Sequence, residues 1–248
     1  MTLILPARFQ AVNTAGSIGP LALHQSASGT SASPSDPHTF SSLSIGTDTG
    51  NRAGVLFVFQ KGSGPLQPTS STVAGETATW SKGSGYGGGG ETVRVDLYYV
   101  ELASVTASTA NVEVNWNTST PTAAAVGLIT LDNATPTPAT GPSYGNTTAT
   151  PANIGSWFGT GMPAGSIAIV GGCNADGHDA DWVTEGVYWS VNIEGYIEDG
   201  VNDLQFMTAY YINDTGSALS SGDSKTSPDF TNDESHVTPW TGHGWNNG

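Results

Sequence analysis

Cysteine is almost missing from this chain. Cys173 stands alone among 248 residues, so no disulfide can form within it. After Ile167-Ala168-Ile169-Val170 it reads as a small buried hydrophobe. Basic residues are scarce too: 6 Lys and Arg face 21 Asp and Glu, for a formal net charge of -15. A nucleic acid needs a basic footprint under its phosphates, and an anionic membrane needs clustered Lys and Arg. Neither is expected as a partner. Charged residues make up 11% of the chain, well below the ~25% of ordinary soluble domains. Ser, Thr, Asn and Gly must therefore form the surface, which suits packing against other copies or exposure outside cells. No apolar run approaches the ~20 residues of a membrane span. Leu3-Ile4-Leu5 is cut short by Pro6 and is too brief for a secretion signal. The expectation is synthesis in a cytoplasm without export. No helical apolar spacing runs over three turns, and no repeat of about 20–50 residues supports a propeller or solenoid.

What is present is alternation. Val93, Val95, Leu97 and Tyr99 fall on one side of the run Thr92 to Val100. Val112, Val114 and Trp116 alternate with Glu113, Asn115 and Asn117. Such runs predict strands with one face on a core and one in water. Val55 to Phe59 and Ala124 to Leu131 are apolar on both sides, as central strands would be. Ser71 to Trp80 predicts a hairpin around Gly75-Glu76. Ser81 to Gly90, ending in four glycines, predicts a flexible loop. Ala134 to Thr150 reads as a long surface connection. Further strands are expected at Ser166 to Val170, at Val187 to Ile193 and at Leu204 to Ile212. In the second of these Val187, Trp189, Val191 and Ile193 align, and in the third Leu204, Phe206, Thr208, Tyr210 and Ile212 do. The fold class is all-β, a two-sheet antiparallel sandwich of jelly-roll type. Residues 1–40 read as an amino-terminal arm, 41–213 as the sandwich domain and 214–248 as an acidic Gly/Ser/Asn-rich tail. The arm needs a surface to lie on, either an edge of its own sheet or a neighbouring subunit.

Polar clusters suggest few sites. Asn174, Asp176, Asp179 and Asp181 crowd into one Gly-bearing loop, a donor set of the kind calcium takes. The EF-hand spacing fails, because His178 is fifth from Asn174, where an oxygen ligand is needed. A solvated turn competes with calcium, the only cofactor the sequence raises. Cys173 and His178 are too few for zinc. Glu194, Glu198 and Asp199 are the carboxylates a glycosidase would need, but nothing sets two of them across a cleft, and no Glu-x-Asp-x-x-Glu occurs. A nucleophile elbow and a phosphate-binding loop are also missing. No enzyme activity is expected. Thirteen of the 21 acids follow Cys173, where Lys225 is the only base. This field of one sign serves solubility or faces a basic partner. Trp80, Trp116 and Trp189 lie in strand-like runs and read as core. Trp157, Trp182, Trp240 and Trp245 fall in or near loops, where an indole anchors a protein interface, packs internally or stacks on a host glycan.

The order of elements also resembles a known group. Ser44-Ile45-Gly46-Thr47-Asp48-Thr49-Gly50-Asn51-Arg52 is followed by the strand Val55 to Phe59 and the hairpin Thr72 to Trp80. Then come Val95 to Glu101, Asn111 to Asn117 and the small-residue strand Ala123 to Asp132. This succession is similar to that of β-sandwich structural proteins in the virions of tailed bacteriophages, and it covers about residues 40–215. Such proteins serve as head decorations, head fibres, tail appendages and receptor-binding tips. The resemblance implies a non-enzymatic virion component made in the host cytoplasm. It implies a homo-oligomer whose partners are other capsid or tail proteins or, at a tip, a host glycan.

Overall fold

The computed structural model describes residues 20–64, 66–88, 91–116, 119–135, 137–138, 143–147, 152–153, 162–175, 183–185, 189–198, 200, 203–219, 229–231 and 238–245. Among these residues the chain is all-β, with no helix. In chain order the first strands are β1 (Ala22–Ser31), β2 (His38–Ser44), β3 (Arg52–Gly62), β4 (Ser70–Val73), β5 (Glu76–Gly88), β6 (Glu91–Glu101), β7 (Thr109–Asn115) and β8 (Ala123–Asp132). They form one antiparallel sheet in the order β1-β8-β3-β6-β5-β4-β7-β2. The later strands are β9 (Ser143–Thr147), β10 (Ala152–Asn153), β11 (Ile167–Asn174), β12 (Val183–Glu185), β13 (Ser190–Ile197), β14 (Leu204–Ile212), β15 (Asp229–Thr231) and β16 (Thr238–Trp245). Five of these make a second antiparallel sheet, β13-β14-β11-β16-β9, and three short ones make a third, β10-β15-β12.

The period of two explains how the layers stack. Odd-numbered residues of β3, β6 and β8, such as Val55, Phe57, Val95, Leu97 and Ile129, share a cluster with Ile167, Ile169, Phe206 and Trp245 of the five-stranded sheet. Even-numbered residues of the same strands, such as Leu56, Val58, Tyr98, Val126 and Leu128, share another with Phe40, Val73, Val112 and Val114 of β2, β4 and β7. The eight-stranded sheet thus folds over on itself, and its central strands are covered on both faces. Each fully buried Leu, Ile, Val or Phe contributes roughly 1.5–3 kcal/mol, so these two interfaces are the main source of stability. On the far side of the five-stranded sheet Ala168, Val170, Met207, Ala209 and Tyr211 pack with Met162, Trp189 and Leu219.

Several sequence expectations hold. β3 and β8 are buried along almost their whole length. β7 alternates between exposed and buried residues. The hairpin of β4 and β5 turns on Ala74 and Gly75, with φ of 55° and 86°. Two central residues of positive φ match the right-handed twist of the strands that flank a two-residue turn. Leu204 and Phe206 face the shared core, and Tyr210 and Ile212 pack against it. Cys173 is buried.

Other expectations are corrected. β6 is covered on both faces, because Asp96 and Tyr98 are as buried as Val95. The 81–90 stretch is no loop as far as Gly88, since Lys82 to Gly88 pair with Leu97 to Glu91 of β6. Within the 134–150 connection lies β9, which pairs with β16. The 238–245 segment, expected in an irregular tail, is a strand between β11 and β9. The aligned face Trp189-Val191-Ile193 is split by a bulge between Val191 and Ile193. An extra residue in one strand swaps the faces beyond it, so Val191 packs beside Trp189 while Ile193 joins the central core. Of the 1–40 segment, residues 22–31 take the first of the two alternatives and form an edge strand of the protein's own sheet on β8.

Candidate functional site

The strongest polar constellation sits where β5, β6 and β3 run side by side. Asp96 of β6 is fully buried, and four donors converge on its carboxylate. Arg94 donates from Nε to Oδ2 at 2.6 Å and from Nη2 to Oδ1 at 2.7 Å. Gln60 Nε2 donates to Oδ2 at 2.7 Å, and Trp80 Nε1 to Oδ1 at 3.0 Å. Gln60 Oε1 in turn accepts the indole N–H of Trp116. A buried carboxylate is tolerable only when it is paired and hydrogen-bonded in this way. Burial pushes the Asp96 carboxyl above its ordinary range, and the bonds from Arg94, Trp80 and Gln60 oppose that rise without cancelling it. Burial lowers the Arg94 guanidinium, but the bonds and charge of Asp96 outweigh it and leave Arg94 above its ordinary value.

Gly83 explains why β5 carries glycine here. It pairs with Asp96 in register, so any side chain would point at the ion pair. A Cβ on Gly83 would lie 2.0 Å from Asp96 Oδ1 and 2.5 Å from Arg94 Nη2. Gly83, which read as part of a flexible loop, is in fact the clearance under a buried salt bridge.

Two further clusters join segments distant in sequence. Ser81 Oγ and the buried His243 Nε2 are hydrogen-bonded, and the His243 ring meets Trp245 edge-on at 5.8 Å. Beside them Ser84 donates to the Gly145 carbonyl at 2.7 Å, and Lys82 Nζ sits 4.0 Å from the Tyr144 ring centre. A Ser–His pair is the kind that activates a nucleophile; with its neighbours, this one pins β5 to β9 and β16. At the other end His24 Nδ1 and Asp132 Oδ2 are 2.7 Å apart, and Thr49 donates to Asp132 Oδ1 at 2.7 Å. This group ties β1 to the end of β8 and to the 46–50 turn. Arg52, also buried, spends its guanidinium on the carbonyls of Ile45, Gly46, Val105 and Ala107. On the outside of β2, β4 and β7 a cleft of about 480 Å³ is lined by Thr39, Thr72, Thr109, Asn111 and Glu113 beside the Ala74-Gly75 turn.

The residues singled out from the sequence fall differently. Asn174 ends β11, is fully buried, and donates to Gln205 Oε1 at 3.2 Å. Asp176, Asp179 and Asp181, its expected partners around calcium, lie outside the described residues, as do Trp157 and Trp182. Among the described residues no three His, Cys, Asp or Glu side chains gather as a metal site would require. Trp240 has its backbone in β16, paired with Gly172 and Gly145. Trp245, read as lying in or near a loop, takes the internal-packing alternative and is wholly buried in the central core. Trp80, expected in the core, is 41% exposed. Glu194 and Glu198 are exposed on and just beyond β13, and Asp199 lies outside the described residues. Sequence reasoning missed the Asp96 cluster altogether. Its one signal was a charged pair, Arg94 and Asp96, two apart in an otherwise apolar strand.

Comparison with known proteins finds no matching family model, no matching curated protein and no matching solved structure.

Proposed function

We propose that this protein is a non-enzymatic structural component of a bacteriophage virion, working by subunit packing as a capsid decoration or head-fibre protein. The carrying observation is how the buried polar groups are used. Asp96, Arg52 and His243, and with them the half-buried Asp132, each fasten one segment of the chain to another. Such fastening yields a stiff block whose work is contact. The surface composition supports the same reading, since small polar residues lose little side-chain entropy when two copies meet. The layered arrangement is read as a β-sandwich of the type the resemblance implies, with homo-oligomers occupying repeated sites on a symmetric particle. The hydroxyl-lined face of β2, β4 and β7 is one candidate surface for a neighbour to rest on.

Mass spectrometry and cryo-electron microscopy of purified particles, with a tag on this chain, test the reading. Stoichiometric incorporation at symmetry-related positions supports it. A protein absent from particles, or one that turns over polysaccharide in isolation, refutes it.

A further inference from the structure

We propose that the outer face of Trp80 is a stacking platform for a neutral pyranose sugar, with Arg94 beside it as hydrogen-bond donor. Four observations carry this. First, Trp80 is 41% exposed although it stands within a paired strand. Leaving an indole in water forgoes roughly 25 cal/mol for each Å² of apolar area not buried, so its exposure is a cost. Second, the indole is fixed. Its N–H is turned inward onto Asp96 Oδ1, so what it offers outward is hydrocarbon ring. Third, Arg94 reaches the same oxygen through Nη2, which holds the two side chains next to one another. Nε and Nη2 of Arg94 are spent on Asp96, and Nη1 makes no bond among the described residues. The Arg94 side chain is 20% exposed. Fourth, Gly83 and Gly85 lie on this same face of β5, opposite Asp96 and Arg94. Their missing side chains leave room for Asp96 and Arg94 to lie against β5, so no β5 side chain stands between the indole and the guanidinium.

The chemistry selects the ligand. The axial C–H face of a pyranose stacks on an indole, and its hydroxyls accept from a guanidinium. Arg94 is already neutralised by Asp96, and the chain carries a net charge of -15, so an anionic sugar is disfavoured. A protein contact is the competing use of an exposed indole, and sedimentation of Trp80→Ala separates it from sugar binding. The platform is independent of the packing role. Loss of sugar binding leaves virion incorporation untouched, so the two readings fail separately.

The test is titration with maltohexaose, cellohexaose and chitohexaose, with oligogalacturonate as the anionic comparison. The indole N–H resonance of Trp80 is followed by NMR and the affinity by calorimetry. At least one neutral hexasaccharide is expected to shift that resonance. Trp80→Ala is expected to weaken binding about tenfold or more, in line with the loss of one stacked ring. Trp80→Phe keeps a ring but not the N–H, and is expected to retain most of the affinity. This second variant guards against loss of fold in the first. The proposal is overturned if no neutral sugar shifts the resonance, if only oligogalacturonate binds, or if Trp80→Ala and the wild type bind alike. It is equally overturned if Trp80→Phe weakens binding as much as Trp80→Ala while remaining folded. A change in self-association alone, seen by sedimentation of Trp80→Ala, would assign the indole to a protein contact instead.

Discussion

Gly171→Ala is the sharpest test of how the two large sheets meet. Gly171 is in β11, in the middle of the five-stranded sheet, and pairs with Thr208 and Thr241 on its two sides. Across the interface lies the fully buried ring of Phe57. A Cβ on Gly171 would stand 2.4 Å from Phe57 Cδ1, with Cε1 and Cγ at 2.8 and 2.9 Å. Ordinary carbon contacts begin near 3.5 Å, so the ring must retreat by about an ångström. It has little room to do so, because Phe57 is stacked on Phe59 and Phe59 on Phe206. Overpacking of this kind costs about 1–3 kcal/mol, which for a domain of this size lowers Tm by about 2–12 °C. Differential scanning calorimetry reads the shift directly. Combining Gly171→Ala with Phe57→Leu frees the space, and the double-mutant cycle is expected to show at least ~1 kcal/mol of favourable coupling. An unchanged Tm for Gly171→Ala, together with additive effects in the cycle, would show that these sheets do not face each other at this point.

Three further outcomes are expected. Arg52→Met strips four backbone carbonyls of their shared donor and destabilises by about 3 kcal/mol or more in urea unfolding; a loss under ~1 kcal/mol would mean the clamp on Ile45, Gly46, Val105 and Ala107 is dispensable. Cys173 is fully buried, and burial pushes its thiol up. It is expected to resist a thiol-specific disulfide reagent until denaturant is added, and rapid stoichiometric labelling of the folded protein would contradict this. Asp96 has a raised value in the fold, so the folded state holds its proton to higher pH than the unfolded chain. The stability linked to that proton is fully present below the ordinary value of 3.8 and is lost as pH rises through the folded value. Asp96→Asn lacks this titration, so the stability of the wild type relative to the variant is expected to decline as pH rises above the ordinary value of 3.8. A difference that grows as pH rises would reverse the sign of the shift.

Legibility in the sequence followed the locality of the cause. β7 could be read because one face meets only the core and the other only water. β3 and β8 could be read because apolar residues on both faces need no partner of special chemistry. β6 misled because Arg94 and Asp96 look solvated in a linear pattern. What makes Asp96 a buried residue is Gln60, 36 positions away, and Trp80, 16 away. The same ion pair disguised β5, since Gly83, which it requires, stands in a run that resembles a flexible linker. β16 was missed for a related reason: Thr238-Pro239-Trp240-Thr241-Gly242-His243-Gly244-Trp245 has poor strand propensity. It is held by pairing with β11 and β9 on both sides and by burial of Trp245. The placement of Trp80 and Trp245 has the same origin. Both tryptophans have alternating surroundings, and only the presence of a covering strand decides which is wet.

The order in which strands are used has a bearing on biosynthesis. Every strand of the eight-stranded sheet lies between Ala22 and Asp132, whereas the five-stranded sheet needs β16, which ends at Trp245. A ribosome therefore releases the first sheet in full while the last piece of its cover is still untranslated. During that interval Val55, Phe57 and Phe59 have nothing complete to rest against, and the nascent chain is at its most vulnerable to clumping.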